Sequence, residues 1–206
     1  MRNLVKALFV SLGILCMSVA TAADDSALTM LKDVTTQMTS TLTAEQAAIK
    51  KDPNEIVKIV DKIILPHIDI EDMARGVLAR HWRAATPQQR LDFQNAFETW
   101  AVLSYSAAFL HYTNQQIEFG KVLPIGNKGD REQINTLIKQ ASGPSIAVNY
   151  RMVNKNGAWK VYDINVENVS LVNSFRSQVS SQISQKGLDA VTADINKRNA
   201  KGLTVK

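Results

Sequence analysis

The sequence predicts an α+β fold in which helices come first, a four-stranded antiparallel sheet follows, and two further helices close the domain. Three observations support this order. Before about residue 115, apolar residues recur at spacings of three and four, as they do on one face of a helix. After it, four segments of alternating apolar and polar residues are separated by turns rich in Gly and Asn. Beyond residue 168, the helical spacing returns.

The first two helices are delimited by apolar spacing and by proline. Apolar residues at helical spacing predict a first helix over about residues 24–49. Asp52 followed by Pro53 matches an N-cap with proline at the first helical position, so we expect a second helix to begin there. This helix must end before Pro66, because the proline ring would clash with the preceding turn.

The next two helices are predicted from similar signals. Asp69 can cap a third helix that reaches about Arg83. Thr86 followed by Pro87 repeats the cap-and-proline arrangement and predicts a fourth helix that extends to about residue 113. Aromatic residues recur along one face of this helix, so we expect that face to pack against the rest of the domain.

The second half of the chain reads as a meander. The strands are predicted over about residues 116–124, 131–140, 145–153 and 158–167, and the closing helices over about residues 169–185 and 188–198. The turns between strands are short, which favours antiparallel neighbours. Tyr150 and Met152 can share a face with Tyr162, Ile164 and Val166 only if the register of the two strands allows it.

The N-terminus has the pattern of a secretory signal. Two cations precede an apolar segment at residues 7–19, which ends in small residues. We therefore expect residues 1–22 to be cleaved and residues 23–206 to form a single exported, soluble domain. The apolar segment is short for a membrane span. Cys16, the single cysteine, lies inside this signal, so the mature chain would have no thiol or disulfide.

The charge pattern argues against a nucleic-acid partner. The formal net charge of +5 falls to +3 once the two cations of the signal are removed. The remaining Lys and Arg residues are scattered among nineteen acidic residues, whereas a nucleic-acid binder usually concentrates its cations in one patch.

The sequence contains no recognisable catalytic arrangement. His67 could join Asp69 and Asp72 in a metal site, but these acids are better explained as a helix cap and as a partner of the helix dipole. Asp163 and Glu167 lie four apart in a predicted strand, about 13 Å from one another, which is too far for a coupled acid pair. We therefore predict a protein that is not an enzyme and that has no catalytic residue, metal site or cofactor.

Apolar residues are more abundant than the predicted elements obviously require. The fourth helix has aromatic residues on one side, while Leu91, Val102 and Leu110 lie off that stripe. Two interpretations remain open at this point. The helix is central in an ordinary core, or its aromatic stripe and one sheet face line a cavity for an apolar ligand.

Several segments resemble one known family over essentially the whole mature chain. They are residues 76–83 (GVLARHWR), residues 85–90 (ATPQQR), Phe93, Phe97, Tyr105, Leu110, Tyr112 and above all residues 159–176. The chain resembles the MlaC, or toluene-tolerance, family of periplasmic phospholipid-binding proteins. It departs from the family pattern at Asn168, where members often carry glycine, at Phe175, where tyrosine is common, and at Val179, where phenylalanine is common.

The resemblance implies both a fold and a role. The implied fold has a helical layer wrapped around a sheet similar to those of nuclear-transport-factor-like proteins, enclosing an apolar pocket for phospholipid tails. The implied role is a periplasmic shuttle in a Gram-negative envelope that maintains the lipid asymmetry of the outer membrane. Its implied partners are phospholipid as cargo, an outer-membrane lipoprotein–porin complex and an inner-membrane lipid transporter of the ABC type. We expect a monomer.

The expected site residues fall into three groups. Those predicted to line the pocket are Phe97, Tyr105, Phe109, Tyr150, Met152, Tyr162, Ile164 and Val166. Those predicted at its mouth are Val169, Leu171 and Phe175. The candidates for headgroup or partner contact are Arg80, Arg83, Arg90 and Arg176. Two other kinds of carrier would use a similar cavity: one for acylated proteins, and one for single-chain lipids such as fatty acids or isoprenoids.

Overall fold

A computed structural model describes residues 26–112, 115–140 and 142–203, so the predicted signal at residues 1–22 lies outside the described residues. The helices are α1 Ala27–Ala44, α2 Gln46–Lys51, α3 Glu55–Ile63, α4 Ile70–Leu78, α5 Arg80–Ala84, α6 Pro87–Ser106, α7 Leu171–Lys186 and α8 Leu188–Asn199. The strands are β1 Gln116–Pro124, β2 Arg131–Lys139, β3 Ile146–Lys155, β4 Ala158–Val166 and β5 Val169–Ser170. This arrangement confirms the predicted α+β class. Among the described residues, no helix is both long and apolar enough to cross a bilayer.

The sheet is an antiparallel meander in the order β1-β2-β3-β4-β5. The first four strands lie within two residues of their predicted bounds, because the Gly- and Asn-rich turns mark their ends. The fifth strand is an addition to the predicted four. Glu167 and Asn168 form the turn before it, with φ of +49° and +66°. Asn adopts such a left-handed conformation more readily than most residues, which explains how it replaces the glycine common in the family.

A bulge in β4 decides which side chains share a face. Tyr150 pairs with Ile164, and Met152 pairs with Val161 rather than with Tyr162. Tyr162 is therefore the extra residue of the bulge. Its ring lies under the Arg131 guanidinium, 4.8 Å from the ring centroid, on the opposite face of the sheet from Tyr150. Ile164 and Val166 thus share a face with Tyr150 and Met152, as predicted for a suitable register, and Tyr162 does not.

Several helices begin where capping chemistry predicts. The Asp69 carboxylate accepts a hydrogen bond from the Asp72 backbone N–H at 3.0 Å and caps α4. Thr86 caps α6 and forms a reciprocal pair with Gln89. At α7 the cap is Ser170, whose hydroxyl accepts from the backbone N–H of Asn173 at 3.1 Å. These side chains satisfy backbone donors that the first turn of a helix leaves unpaired.

The first two predicted helices are corrected at their boundaries. The first divides at Glu45 into α1 and α2, and its predicted start at residue 24 lies outside the described residues. Asp52 does not cap the second helix. Its carboxylate accepts from the backbone N–H of Asn54 at 3.0 Å, so a turn precedes the helix, which begins at Glu55.

The third and fourth predicted helices are also shorter than expected. Ala79 interrupts the third with φ of +49°, a conformation that residues other than glycine rarely adopt, and separates α4 from α5. The fourth ends at Ser106 and continues only as a 3-10 turn, Ala107–His111. The first closing helix begins at Leu171 because the two preceding residues pair with β4 as β5.

The buried residues form three clusters. The helical core joins α4, α6, α7 and α8. A second cluster joins the C-terminal half of α1 to α2 and α3, with half-buried residues from the end of α6 and the 3-10 turn after it. The third, the sheet cluster, joins the N-terminal half of α1 to one face of the sheet. Since α1 contributes to both the second and third clusters, it connects the helical layer to the sheet.

Candidate functional site

The sheet has an inner face that α1 covers only in part. We define the inner face as the one that bears Ile134, Met152 and Val161, which pack with Ala27 and Leu31 of α1. These residues are all 5% exposed or less. This end of the inner face is an ordinary filled core.

The other end of the inner face keeps accessible apolar surface. Strand pairing places on it the half-buried residues Ile117, Ile138, Ile146, Tyr150, Ile164 and Val166. Thr136 and Val148 lie among them and are each 5% exposed, and Tyr150 and Ile164 also pack against the filled end of the face. Val169 of β5 pairs with Val166 and extends the same face, with 57% of its surface exposed. A well-packed core would bury branched apolar side chains in mid-sheet. We call this accessible apolar surface the groove.

Helical side chains at the end of α6 and in the 3-10 turn after it are also incompletely buried. Val102, Phe109 and Leu110 pack at the edge of the second cluster and stay half-buried. Tyr105 is 38% exposed although its ring meets the edge of Phe175 at a centroid distance of 5.8 Å. The end of α6 and the 3-10 turn thus carry apolar surface that remains accessible to solvent.

Tyr150 places a phenol hydroxyl on the otherwise largely apolar inner face. Its apolar surroundings disfavour the charged form and raise the pKa of Tyr150 to about 12, although a hydrogen bond with Thr136 acts in the opposite direction. The Thr136 hydroxyl is held in turn, because it donates to the backbone carbonyl of Val148 at 2.8 Å. The groove therefore has an apolar lining with one neutral polar pair.

An aromatic cluster ties the helices together behind this region. Phe97 stacks on Phe93 at 6.1 Å and meets Phe175 edge-on at 5.1 Å, and Trp100 meets Phe175 at 4.4 Å. Phe175 is 2% exposed and Phe97 fully buried. These rings fasten α6 to α7.

The structure brings some of the predicted pocket residues together and separates others. Tyr150, Ile164, Val166 and Val169 share the accessible end of the inner face, and Leu171 follows β5 directly as a half-buried residue. Tyr105 and Phe109 lie on the helical side. Phe97 and Phe175 belong to the helical core, Met152 lies under α1, and Tyr162 lies on the outer face.

The predicted arginines gather around α5. Arg90 donates from Nε to the backbone carbonyl of Trp82 at 2.9 Å, and its guanidinium lies over the Trp82 ring at 5.2 Å. Arg176 donates from Nε to the carbonyl of Gly76 at 2.8 Å. Arg80 donates to the Ser184 hydroxyl at 3.1 Å, and Arg83 is exposed.

A separate open cleft of about 340 Å³ lies between the start of α4 and α6. It is lined by Leu65, Pro66, Ile68, Asp69, Ile70, Glu71, Gln94, Glu98, Lys155 and Lys160. Lys160 donates to the carbonyl of Pro66 at 2.6 Å, and Lys155 is paired with Asp69 and Asp72. The Lys155 charge is thus neutralised within the fold, whereas Lys160 is bound to a neutral carbonyl. The cleft is therefore polar at its rim, unlike the groove.

Comparison with known proteins assigns this architecture. The family model described as MlaC protein matches residues 32–197, which is most of the chain. The chain belongs to the MlaC family. It is 28% identical over 174 residues to the intermembrane phospholipid transport system binding protein MlaC of Haemophilus influenzae, covering 82% of this chain and 80% of that protein. It is 26% identical over 161 residues to toluene tolerance protein ttg2D of Pseudomonas putida, covering 78% and 74%.

A solved structure shares the fold of this MlaC family member. The phospholipid-binding protein from Ralstonia solanacearum, solved in complex with a phospholipid, matches with a TM-score of 0.76 at 22% identity. The match covers 85% of this chain and 98% of that protein. The arrangement of helices and sheet is therefore common to the two proteins.

Sequence reasoning missed the groove residues of the first two strands. Ile117 and Ile138 were assigned to strands but not to the site, although they pair with one another on the inner face. Their alternation with polar neighbours was visible, but alternation alone does not say which of two sheet faces a helix covers. The contact of α1 with the other end of the sheet supplies that information.

Proposed function

We propose that this protein binds phospholipid by its acyl chains in the groove and carries it through the periplasm between the outer and inner membranes. The proposal depends on one observation, the accessible apolar end of the inner face. Ile146 at the start of β3, and Ile164 and Val166 in β4, keep accessible surface, whereas Ile134, Met152 and Val161 at the opposite end of the same face are buried. An acyl chain is the complementary occupant, since it covers apolar surface without requiring polar partners.

The energetics explain why such a carrier is needed. Holding one acyl chain of roughly 15 methylenes in water costs about 12 kcal/mol, at about 0.8 kcal/mol per methylene. A protein that covers the chain removes most of this cost during transit. The task requires no bond to be made or broken, so no catalytic residue is needed, and energy for directional transport would come from a membrane partner.

The relatives support the same role. The Haemophilus protein is named for intermembrane phospholipid transport, and the Ralstonia protein carries a phospholipid on the same fold. The predicted secretory signal at residues 1–22 would deliver residues 23–206 to the periplasm as a single lipid-binding domain. We further propose that the protein acts as a monomer between an outer-membrane lipoprotein–porin complex and an inner-membrane ABC-type transporter, preserving outer-membrane lipid asymmetry.

The cargo can be tested by extraction. The full chain is expressed with its own signal, purified from the periplasm without detergent, and extracted with organic solvent for mass spectrometry. The expected result is diacyl phospholipid at a fixed ratio to protein. Recovery of an acylated polypeptide or a single-chain lipid instead would support the alternative carriers, and a lipid-free protein would contradict the proposal.

The location of the cargo can be tested with bulky substitutions. Ile164→Trp and Ile146→Trp should fill the groove and lower the co-purified phospholipid several-fold. Leu123→Trp is a matched control, because Leu123 pairs with Gln133 on the outer face and is 41% exposed. Thermal unfolding would establish that the variants are folded. Undiminished phospholipid in both folded groove variants would exclude the groove as the binding site.

The transport role needs its own measurement. Donor vesicles containing fluorescent phospholipid are mixed with acceptor vesicles and purified protein, and transfer is followed over time. Protein-dependent transfer that Ile164→Trp abolishes and Leu123→Trp preserves is the expected result. If the protein extracts lipid but never delivers it to acceptor vesicles or to either purified membrane complex, it is a lipid-binding protein and not a shuttle.

A further inference from the structure

We propose that the guanidiniums around α5, exposed at Arg80 and Arg83 and half-buried at Arg90 and Arg176, form a docking surface for an acidic face of a membrane-bound partner protein. We define the arginine corner as Arg80, Arg83, Arg90 and Arg176. This proposal rests on the proposed carrier function, because a shuttle must recognise the complexes that load and unload it.

The arginine corner is assembled from three helices. Arg80 and Arg83 belong to the short helix α5, Arg90 to the first turns of α6, and Arg176 to α7. Arg176 contacts Gly76, while Arg80 contacts Ser184, two turns further along α7. Eight residues of helix span about 12 Å. Four cations therefore lie within an area that one small protein surface can cover.

The charges of the arginine corner are not neutralised within the fold. Among the described residues, no carboxylate lies within ion-pairing distance of any of the four guanidiniums. Arg75, beside the corner, is different because Glu71 and Asp72 neutralise it. Two carboxylates on neighbouring turns, Asp92 and Asp189, accept hydrogen bonds from glutamine side chains instead.

The fold also holds two of these side chains in place. Arg90 is fixed by its bond to the Trp82 carbonyl and by stacking on the Trp82 ring, and Arg176 is fixed by its bond to the Gly76 carbonyl. Arg176 uses its Nε for the backbone, and Arg90 uses its Nε and also donates from Nη2 to the carbonyl of Arg83 at 3.4 Å, so the Nη1 groups of both remain for a partner. The backbone turns sharply at Ala79 to present α5, despite the cost of a positive φ.

These features favour a protein partner over a lipid surface. Fixed guanidiniums offer directional, bidentate hydrogen bonds that match individual carboxylates. Attraction to an anionic membrane needs only a diffuse positive charge, whereas Arg90 and Arg176 are held in fixed orientations by their bonds to backbone carbonyls. The expected partner surface is thus one that displays several Asp or Glu side chains.

The position of the corner is suited to a transfer step. Arg176 lies next to Phe175 on α7, whose ring contacts Tyr105 of α6. The same helix, α7, begins directly after β5 at the accessible end of the inner face. A partner seated on the arginine corner would therefore contact the helix that borders the groove.

The test compares two charge reversals of equal size. Arg80→Glu combined with Arg83→Glu changes exposed residues of the corner, and Lys50→Glu combined with Lys51→Glu makes the same charge change on exposed positions of α2. Binding of each full-length protein is measured to the host's purified outer-membrane and inner-membrane complexes in nanodiscs, and to phosphatidylglycerol vesicles. The arginine variant should bind at least one complex about tenfold more weakly, with the control within twofold of the unaltered protein.

Three results would overturn the proposal. The first is unchanged affinity of the arginine variant for both complexes, and the second is failure of the unaltered protein to bind either complex. The third is a loss of affinity for phosphatidylglycerol vesicles as large as the loss of affinity for the complexes, which would assign the corner to a lipid surface. Mass spectrometry of each variant separates this question from the carrier function. Co-purified phospholipid should be equal in all three proteins, and its absence from all of them would contradict the carrier function alone.

Discussion

The Ser170 hydroxyl donates to the Asp163 carboxylate at 2.8 Å, and this bond joins the end of the sheet to the start of α7. The other oxygen of Asp163 accepts from the backbone N–H groups of Ile164 at 2.9 Å and Val172 at 3.2 Å. Asp163 is 5% exposed. Asp163, which the sequence excludes from an acid pair with Glu167, thus stabilises the start of a helix.

We expect Asp163→Ala to lower the free energy of unfolding by about 2 kcal/mol, because it leaves buried donors without an acceptor. Urea denaturation measures this change. Asp33→Ala is the control, since Asp33 is exposed on α1 and should change stability by less than about 0.5 kcal/mol. Equal effects of the two substitutions would contradict the assigned role of Asp163.

Gly76 is required by the close approach of α4 and α7. A Cβ at this position would lie 2.7 Å from Cγ1 of Val172. Gly76→Ala should therefore cost about 1–3 kcal/mol through overpacking. Adding Val172→Ala removes the clashing methyl, so the effect of Gly76→Ala should be smaller in that background. A double-mutant cycle measured by urea denaturation checks this coupling, and strict additivity would argue against it.

Asn168 should tolerate glycine but not a β-branched residue. Its φ of +66° lies in the left-handed region, where a β-branched side chain costs about 1–2 kcal/mol. We expect Asn168→Val to lower the melting temperature and Asn168→Gly to change it little. If Asn168→Val is as stable as the unaltered protein, the turn between β4 and β5 is not formed as described.

The pKa of Tyr150 predicts a loss of stability at alkaline pH. The unfolded phenol has a pKa of 10.0, and the folded one is raised to about 12. Between these values the unfolded state loses a proton that the folded state retains, so stability is fully present below pH 10 and falls as the pH rises toward 12. Tyr150→Phe should remove this contribution. Absorbance of tyrosinate against pH should then lack its most alkaline step, whereas a titration identical to that of the unaltered protein would contradict the assignment.

Local signals account for most of the fold that could be predicted. Thr86 and Asp69 predict helix starts because their side chains accept hydrogen bonds from backbone N–H groups only three residues away. The strand ends follow from turn residues in the same way. The predicted boundaries were wrong where a break has no local signal or where a second local interaction competes with the first. Nothing local predicts the break at Ala79, and the N-cap preference of Asp52 was outcompeted by its own turn with Asn54.

The candidate site was less predictable than the fold. Tyr150, Ile164 and Val166 were expected together and do share the inner face. Tyr162 was expected with them, but one extra residue in β4 turns it to the outer face. Phe97 and Phe175 are large and apolar whether they line a groove or fill a core, so their residue type could not distinguish the two.

By itself, the sequence determined the α+β class, the family and the lack of recognisable catalytic motifs, and it predicts export, because each of these depends on residue types, on spacing along the chain or on similarity to other chains. Only the tertiary structure decided which end of the sheet α1 covers, which face Tyr162 occupies, and that four separated arginines meet around α5. These are contacts between residues far apart in the chain. Their geometry depends on how the elements pack, and no local pattern encodes it.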